Sequence, residues 1–243
     1  MTGTYCFAQK IIQVETVHPL VHQRCQEYSC LGPAELFVTT SQQDIEFERK
    51  KSASENEREG MPVQQYPDAY LEILAVYRKI AEQMPSFGTF LFHGSAIAVD
   101  GAAYIFTAKS GTGKSTHTRL WRELLGSRAV MVNDDKPLIN VREDGLATVY
   151  GTPWDGKHHL SRNIAVPVKA ICLLERAAEN TIRKITKEEA LPMLLQQAYR
   201  PATPEALART LMLIDRINAG FYRLGCNMDV SAAELSYNTM KEG

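Results

Sequence analysis

Apolar and polar residues alternate loosely from Tyr5 to Thr16 and again from Ala34 to Thr40, with turn residues Gly32 and Pro33 between the two runs. Period-two alternation is the mark of half-buried strands, so two or three strands and a small β-rich N-terminal portion are expected. The next segment, DIEFERKKSASENEREGMP (44–62), holds almost no large apolar residue after Phe47. A stretch this charged predicts an exposed loop or linker. The division that follows is residues 1–60 for the N-terminal portion with its linker and residues 61–243 for the main domain.

Between Asp68 and Met84 the apolar residues Leu71, Leu74, Ala75, Ile80 and Ala81 recur at helical spacing, with Pro67 before them and Pro85 after. A helix leading into the main core is expected there. Two β-type runs come next, TFLFHGSAIAV (89–99) and AAYIFTA (102–108), joined by Asp100-Gly101, the dipeptide that favours a tight hairpin. STHTRLWRELLG (115–126) reads as a helix closed by Gly126, and RAVMVND (128–134) as a buried strand. Further on, PVKAICLLER (167–176) and GFYRLGCNM (220–228) read as strands, and KEEALPMLLQQAYR (187–200) and PEALARTLMLIDRINAG (204–220) as helices. Strands alternating with helices predict an α/β domain.

Composition narrows the function classes. With 243 residues, 44% hydrophobic and 23% charged, the chain can bury the core of one large domain or of a domain with a small appendage. A net charge of -1 with interspersed signs announces neither a basic face for nucleic acid nor a polybasic anchor, so no nucleic-acid or membrane partner is expected. No apolar run approaches the roughly 20 residues that cross a bilayer, and MTGTYCFAQK lacks the halves of a signal peptide. The expected compartment is the cytoplasm. Cys6, Cys25, Cys30, Cys172 and Cys226 are odd in number and scattered, which predicts reduced thiols.

The candidate chemistry centres on AKSGTGKST (108–116), which fits a phosphate loop with Ala108 in place of the first glycine. Ser110, Gly111, Thr112, Gly113, Lys114, Ser115 and Thr116 are the candidate nucleotide-binding residues. Gly111 and Gly113 let successive N–H groups turn inward, Lys114 reaches the terminal phosphates, and the Ser115 hydroxyl is a Mg²⁺ ligand. About twenty residues on, a buried strand ends in Asp134-Asp135. Two adjacent carboxylates there supply metal ligands, with Ser115, and one general base; without the loop they would read as turn acids. His93 precedes the hairpin, which folds it beside the loop. Asp134, Asp135, His93 and Lys114 are thus the catalytic candidates.

HGSAIAVDGAAYIFTAKSGTGKST followed by VMVNDD resembles the HPr serine kinase/phosphorylase and phosphoenolpyruvate carboxykinase superfamily, most closely its small HPr-kinase-like proteins. The resemblance is strong from Leu91 to Ile139 and weak elsewhere. It implies an α/β P-loop nucleotide-binding domain with a mixed, partly antiparallel sheet. It also implies ATP (or another nucleoside phosphate), Mg²⁺, and transfer of the γ-phosphoryl group to a hydroxyl, such as serine in a peptide, a protein or a small molecule. The chain is too short after the acids for the oxaloacetate site of a carboxykinase.

Where HPr kinases carry an arginine loop that docks HPr, this chain has YGTPWDGKHHLSRN (150–163). Trp154, Lys157 and Arg162, with His158 and His159 nearby, make it a candidate lid over an acceptor. The same segment also reads as a surface loop with Trp154 packed on the core. A different class of function, a nucleotide-sensing regulatory protein without turnover, would have no need of a base beside the γ-phosphate. A plain hydrolase of the P-loop class would need no acceptor pocket.

Overall fold

Ala8 and Gln9 take positive φ, 48° and 66°, and turn the first alternating run back on itself. Two consecutive left-handed residues match the twist of an antiparallel hairpin. In the computed structural model, which describes residues 1–243 except Glu59, Met61, Val63 and Lys157, that run forms β1 (Thr2–Phe7) and β2 (Lys10–Glu15). After α1 (Leu20–Arg24), β3 (Leu36–Thr39) adds parallel to β2. Tyr5, Phe7, Ile12, Val14 and Val21 fill the small core.

The charged segment expected as a linker is instead mostly helix, α2 (Gln42–Arg58). Its charges are matched on α3 (Asp68–Gln83): buried Glu48 pairs with Arg78, and Asp44 lies 2.8 Å from Lys79 Nζ. Ion pairs between neighbouring helices compensate for a weak apolar stripe, a pattern that composition alone reads as solvated. Fully buried Glu72 of α3 accepts hydrogen bonds from Val17 N and His18 N, both at 2.7 Å, and from Thr40 Oγ1 at 2.6 Å. The chain divides at Gln83/Met84 and not at 60/61, because α3 packs with α1, α2 and β3.

The second unit, Met84–Gly243, opens with β4 (Thr89–Leu91), β5 (Ser95–Val99) and β6 (Ala102–Thr107). Asp100 and Gly101, at φ 52° and 81°, make the expected hairpin turn between β5 and β6. Then come α4 (Lys114–Leu125), β7 (Ala129–Asn133), β8 (Leu138–Val141), β9 (Ala147–Tyr150) and β10 (Ala165–Arg176). β11 (Thr181–Lys184), α5 (Lys187–Gln197), α6 (Pro204–Arg216), β12 (Gly220–Cys226) and α7 (Val230–Glu242) complete the unit.

These strands form one mixed sheet in the order β4-β8-β9-β10-β6-β5-β7, with β12 on β10 and β11 on β12. β6, β10 and β12 run parallel, and β5 is antiparallel to both β6 and β7. The unit is therefore mixed α/β with a partly antiparallel sheet. Its long apolar strand β10 is central because both edges are paired, which is why it reads as an unbroken apolar run.

α4 packs on α7 through a buried polar link. His117 Nε2 lies 3.0 Å from Ser236 Oγ, and Trp121 Nε1 donates to the same oxygen at 2.9 Å. Burial pushes the His117 imidazole from 6.5 down to about 4, so it is neutral in the folded protein. Between these values the unfolded chain binds more protons, and stability falls as the pH drops from about 6.5 toward 4. The loss is about 3 kcal/mol. Both tryptophans of the chain, Trp121 and Trp154, are buried in this unit, so their fluorescence in urea melts reads its stability. His117→Gln is expected to lose that part of the pH dependence; an unchanged pH profile would show that His117 is not held neutral.

Among the described residues no helix is long and apolar enough to cross a membrane. All five cysteines are free thiols.

Candidate functional site

Because β5 runs against β6 and β7, its start and their ends lie at one edge of the sheet. Ser95 opposes Phe106 near the end of β6, and Ala96 opposes Asn133 at the end of β7. The hairpin thus brings together His93 and Ser95, the glycine loop that follows β6, and the Asp134-Asp135 pair that follows β7. Backbone bonds fasten the edge: Phe92 N donates to Pro137 O at 3.0 Å and Gly94 N to Asp135 O at 3.1 Å.

The glycine loop enters α4 through Gly111 (φ 75°) and Gly113 (φ 122°), a conformation that side-chain-bearing residues avoid. Gly113 stands at the helix N-cap and no side chain caps the first turn. Lys114 is buried and donates from Nζ to Ala108 O at 3.2 Å. Burial lowers its pKa, opposed by the negative charges of Asp135 and Asp134. From the end of β10, Arg176 donates to the carbonyls of Gly111 and Thr112.

The two acids differ in setting. Asp134 is buried, and its Oδ1 accepts from Ser95 Oγ at 2.7 Å, itself 3.0 Å from Thr118 Oγ1 on α4. Asp135 is half-buried, with His93 Nε2 at 3.3 Å and Lys136 Nζ at 3.7 Å from its Oδ1. Burial alone would raise the Asp135 pKa; the His93 hydrogen bond and the charges of Lys136 and Lys114 outweigh it and hold the carboxyl below its ordinary range.

Fully buried Asn133, which no sequence motif singles out, fixes this turn. Its Oδ1 accepts from Asp135 N at 2.8 Å and Lys136 N at 2.7 Å, while its Nδ2 donates to Thr152 O and Thr152 Oγ1 at 3.2 and 2.9 Å. One amide thus ties the acidic turn to the start of the 150–163 segment. An asparagine directly before two acids is an Asx-turn signal. Arg176 had no comparable signal, since a terminal strand arginine is ordinary.

Backbone hydrogen bonds tie the 150–163 segment at its start, where Gly151 N donates to Ile164 O at 3.0 Å. Trp154 is buried, and its backbone N donates to Thr152 Oγ1 at 3.3 Å. Arg162 is exposed, and its backbone N donates to Val132 O at 3.3 Å. Lys157 lies outside the described residues. Among the described residues of this segment, Gly156 lies against the Asp134 carboxylate, and His158 and Leu160 line a cavity that also borders Asp134.

Among the described residues, two cavities border α4. One, of about 380 Å³, lies between the loop and β12, against Gly111, Gly113, His117, Leu174, Cys226 and Met228. The other, of about 270 Å³, is lined by Ser115, Arg119, Arg122, Asp134, His158 and Leu160. Among the described residues no three or more His, Cys, Asp or Glu side chains cluster as a complete metal site. The donors at hand, the Ser115 hydroxyl and the two carboxylates, suit a Mg²⁺ that shares its shell with phosphate oxygens better than an all-protein cage.

Fold and site together define a mixed α/β protein whose glycine loop, histidine and paired acids meet at one sheet edge. The family model for SynChlorMet cassette protein ScmC matches residues 64–207, more than half of the chain, and the chain belongs to that family. No curated protein matches it. Among solved structures it is similar to the Hpr(Ser) kinase/phosphatase from Coxiella burnetii, at 12% identity over 63% of this chain and 99% of that one. The TM-score is 0.34, and a likeness at that level carries no argument about activity.

Proposed function

We propose that this chain is a kinase that transfers the γ-phosphoryl group of ATP, or of another nucleoside triphosphate, to a hydroxyl acceptor. The observation that carries the reading is the meeting of the glycine loop, Lys114, His93 and two unlike carboxylates at one sheet edge. A nucleotide sensor needs the loop alone; a hydroxyl acceptor needs a base as well.

The roles follow from the settings of the side chains. The loop amides from Ser110 to Thr116, the positive end of α4 and Lys114 cradle the phosphates. Ser115 and Asp134 would hold Mg²⁺, which neutralises charge on the phosphate oxygens when bound. Ser95 donates to Asp134 Oδ1 and so keeps that carboxylate oriented. Asp135, ionised and steadied by His93, accepts the proton of the acceptor hydroxyl. The larger cavity, with apolar walls beside Gly111 and Gly113, suits the nucleoside. Serine in a peptide, a protein or a small molecule fits as acceptor.

Lys114→Ala tests the reading. With a fluorescent ATP analogue and Mg²⁺, the variant is expected to bind at least tenfold more weakly, and ADP release in the presence of serine-bearing acceptors is expected to fall to background. Unchanged binding in a folded variant would remove the phosphate cradle. Tight nucleotide binding by the wild type, with no acceptor-dependent ADP release across peptides and small hydroxyl compounds, would point instead to a sensor.

A further inference from the structure

α4 presents Ser115, Arg119 and Arg122 at spacings of four and seven, on the face that borders the smaller cavity. The two arginines differ. Arg119 is paired with Glu123 on its own helix. Among the described residues, half-buried Arg122 has no hydrogen-bond or ion-pair partner for its guanidinium. A guanidinium in a cavity wall without a carboxylate or carbonyl keeps its five donors free for a ligand.

Arg122 is too far along α4 to serve the cradle. Seven residues of helix separate it from Ser115, a rise of about 10 Å. Phosphates at the loop are already met by amides and Lys114. The cavity that joins Arg122 to Asp134 is about 270 Å³, just under the ~300 Å³ at which pockets begin to seat drug-sized ligands. It has room for one or two side chains and not for a nucleotide. Leu160 lends one apolar wall, and His158 adds a ring nitrogen from the facing segment.

The geometry points to a carboxylate seat: Arg122, assisted by Arg119, binds a carboxylate that the acceptor carries close to its hydroxyl, and so makes this an enzyme for acidic acceptors. This rests on the kinase reading for the hydroxyl and on the cavity alone for the carboxylate. A planar carboxylate meets a guanidinium through two parallel N–H···O bonds, which fixes direction as well as distance. With its carboxylate on Arg122, the acceptor lies along the cavity that reaches Asp134, the acid next to the proposed base Asp135. The same chemistry is offered by an acidic residue beside serine in a peptide and by a free hydroxy acid.

Equilibrium binding to the full chain with Mg²⁺ and ADP present separates these ideas. The probes are a fluorescein-labelled heptapeptide with serine between two glutamates, its glutamine analogue, and malate as a competitor. The glutamate peptide is expected to bind at least tenfold more tightly than the glutamine peptide. In Arg119→Gln/Arg122→Gln the preference should fall below twofold, with melting temperature and ADP affinity unchanged. Displacement of the peptide by millimolar malate would assign the seat to free hydroxy acids, and failure of malate with retained peptide preference would assign it to peptides; either supports the seat. Equal affinity for the two peptides together with no malate binding, or a preference that survives the double substitution, would overturn it. Selective binding without phosphoryl transfer would leave the carboxylate seat standing and defeat the kinase reading.

Discussion

Replacing Asp135 by Asn is expected to slow phosphoryl transfer by about 10²–10⁴-fold, the range that a positioned general base contributes, while nucleotide and Mg²⁺ affinity change little. The side chain is half-buried with His93 at 3.3 Å, and a near-isosteric amide leaves the packing in place. Asp134→Asn should behave differently. Its carboxylate is buried and accepts from Ser95, so the amide keeps one acceptor oxygen but loses the charge beside Ser115. The expected result is a rise of tenfold or more in the Mg²⁺ concentration needed for half-maximal rate, with turnover partly recovered at high Mg²⁺. Steady-state rates over a Mg²⁺ series, with ADP affinity measured beside them, separate the two. Mild and equal effects would return both acids to the role of turn residues.

This difference between the acids was not legible in the sequence, although the pair itself was. The hairpin through Asp100-Gly101 was legible because only certain residues take positive φ cheaply, and it forces His93 and the loop to one edge. The Gly111 and Gly113 conformations follow from the same rule. What distinguishes Asp134 from Asp135 comes largely from residues distant in sequence: Ser95, itself bonded to Thr118, reaches one, and His93 reaches the other beside its neighbour Lys136. The first hairpin turn at Ala8-Gln9 carries no local signal because neither residue is a turn former. The helix α2 is hidden in the sequence for a related reason. Its stability comes from partners such as Arg78 and Lys79 some thirty residues away, which local composition does not register.

The 150–163 segment gives the sharpest test of how the site is built. A methyl group added at Gly151 would fall 1.8 Å from Arg162 O and 2.8 Å from Val132 O. Both are backbone atoms, and both are engaged: Arg162 O accepts from Ile164 N at 2.8 Å, and Val132 O from Arg162 N at 3.3 Å. Neither can swing aside as a side chain would, so Gly151→Ala must push the segment off β7. The expected cost is on the order of 3 kcal/mol, at the upper end for overpacking, read as a lower urea midpoint from Trp121 and Trp154 fluorescence. Displacing the segment also strains the Asn133 bonds to Thr152, and the same amide holds the Asp134-Asp135 turn. Faster hydrogen exchange is therefore expected at Asp135 N and Lys136 N as well as at Arg162 N. Gly156→Ala is the comparison: its added methyl meets the Asp134 carboxylate oxygen at 3.0 Å, a side-chain atom that can shift by a few tenths of an ångström. It should cost far less stability while disturbing Mg²⁺ dependence more. Equal stability of the two variants would mean that the segment yields freely, and the acidic turn would then owe its shape to β7 alone.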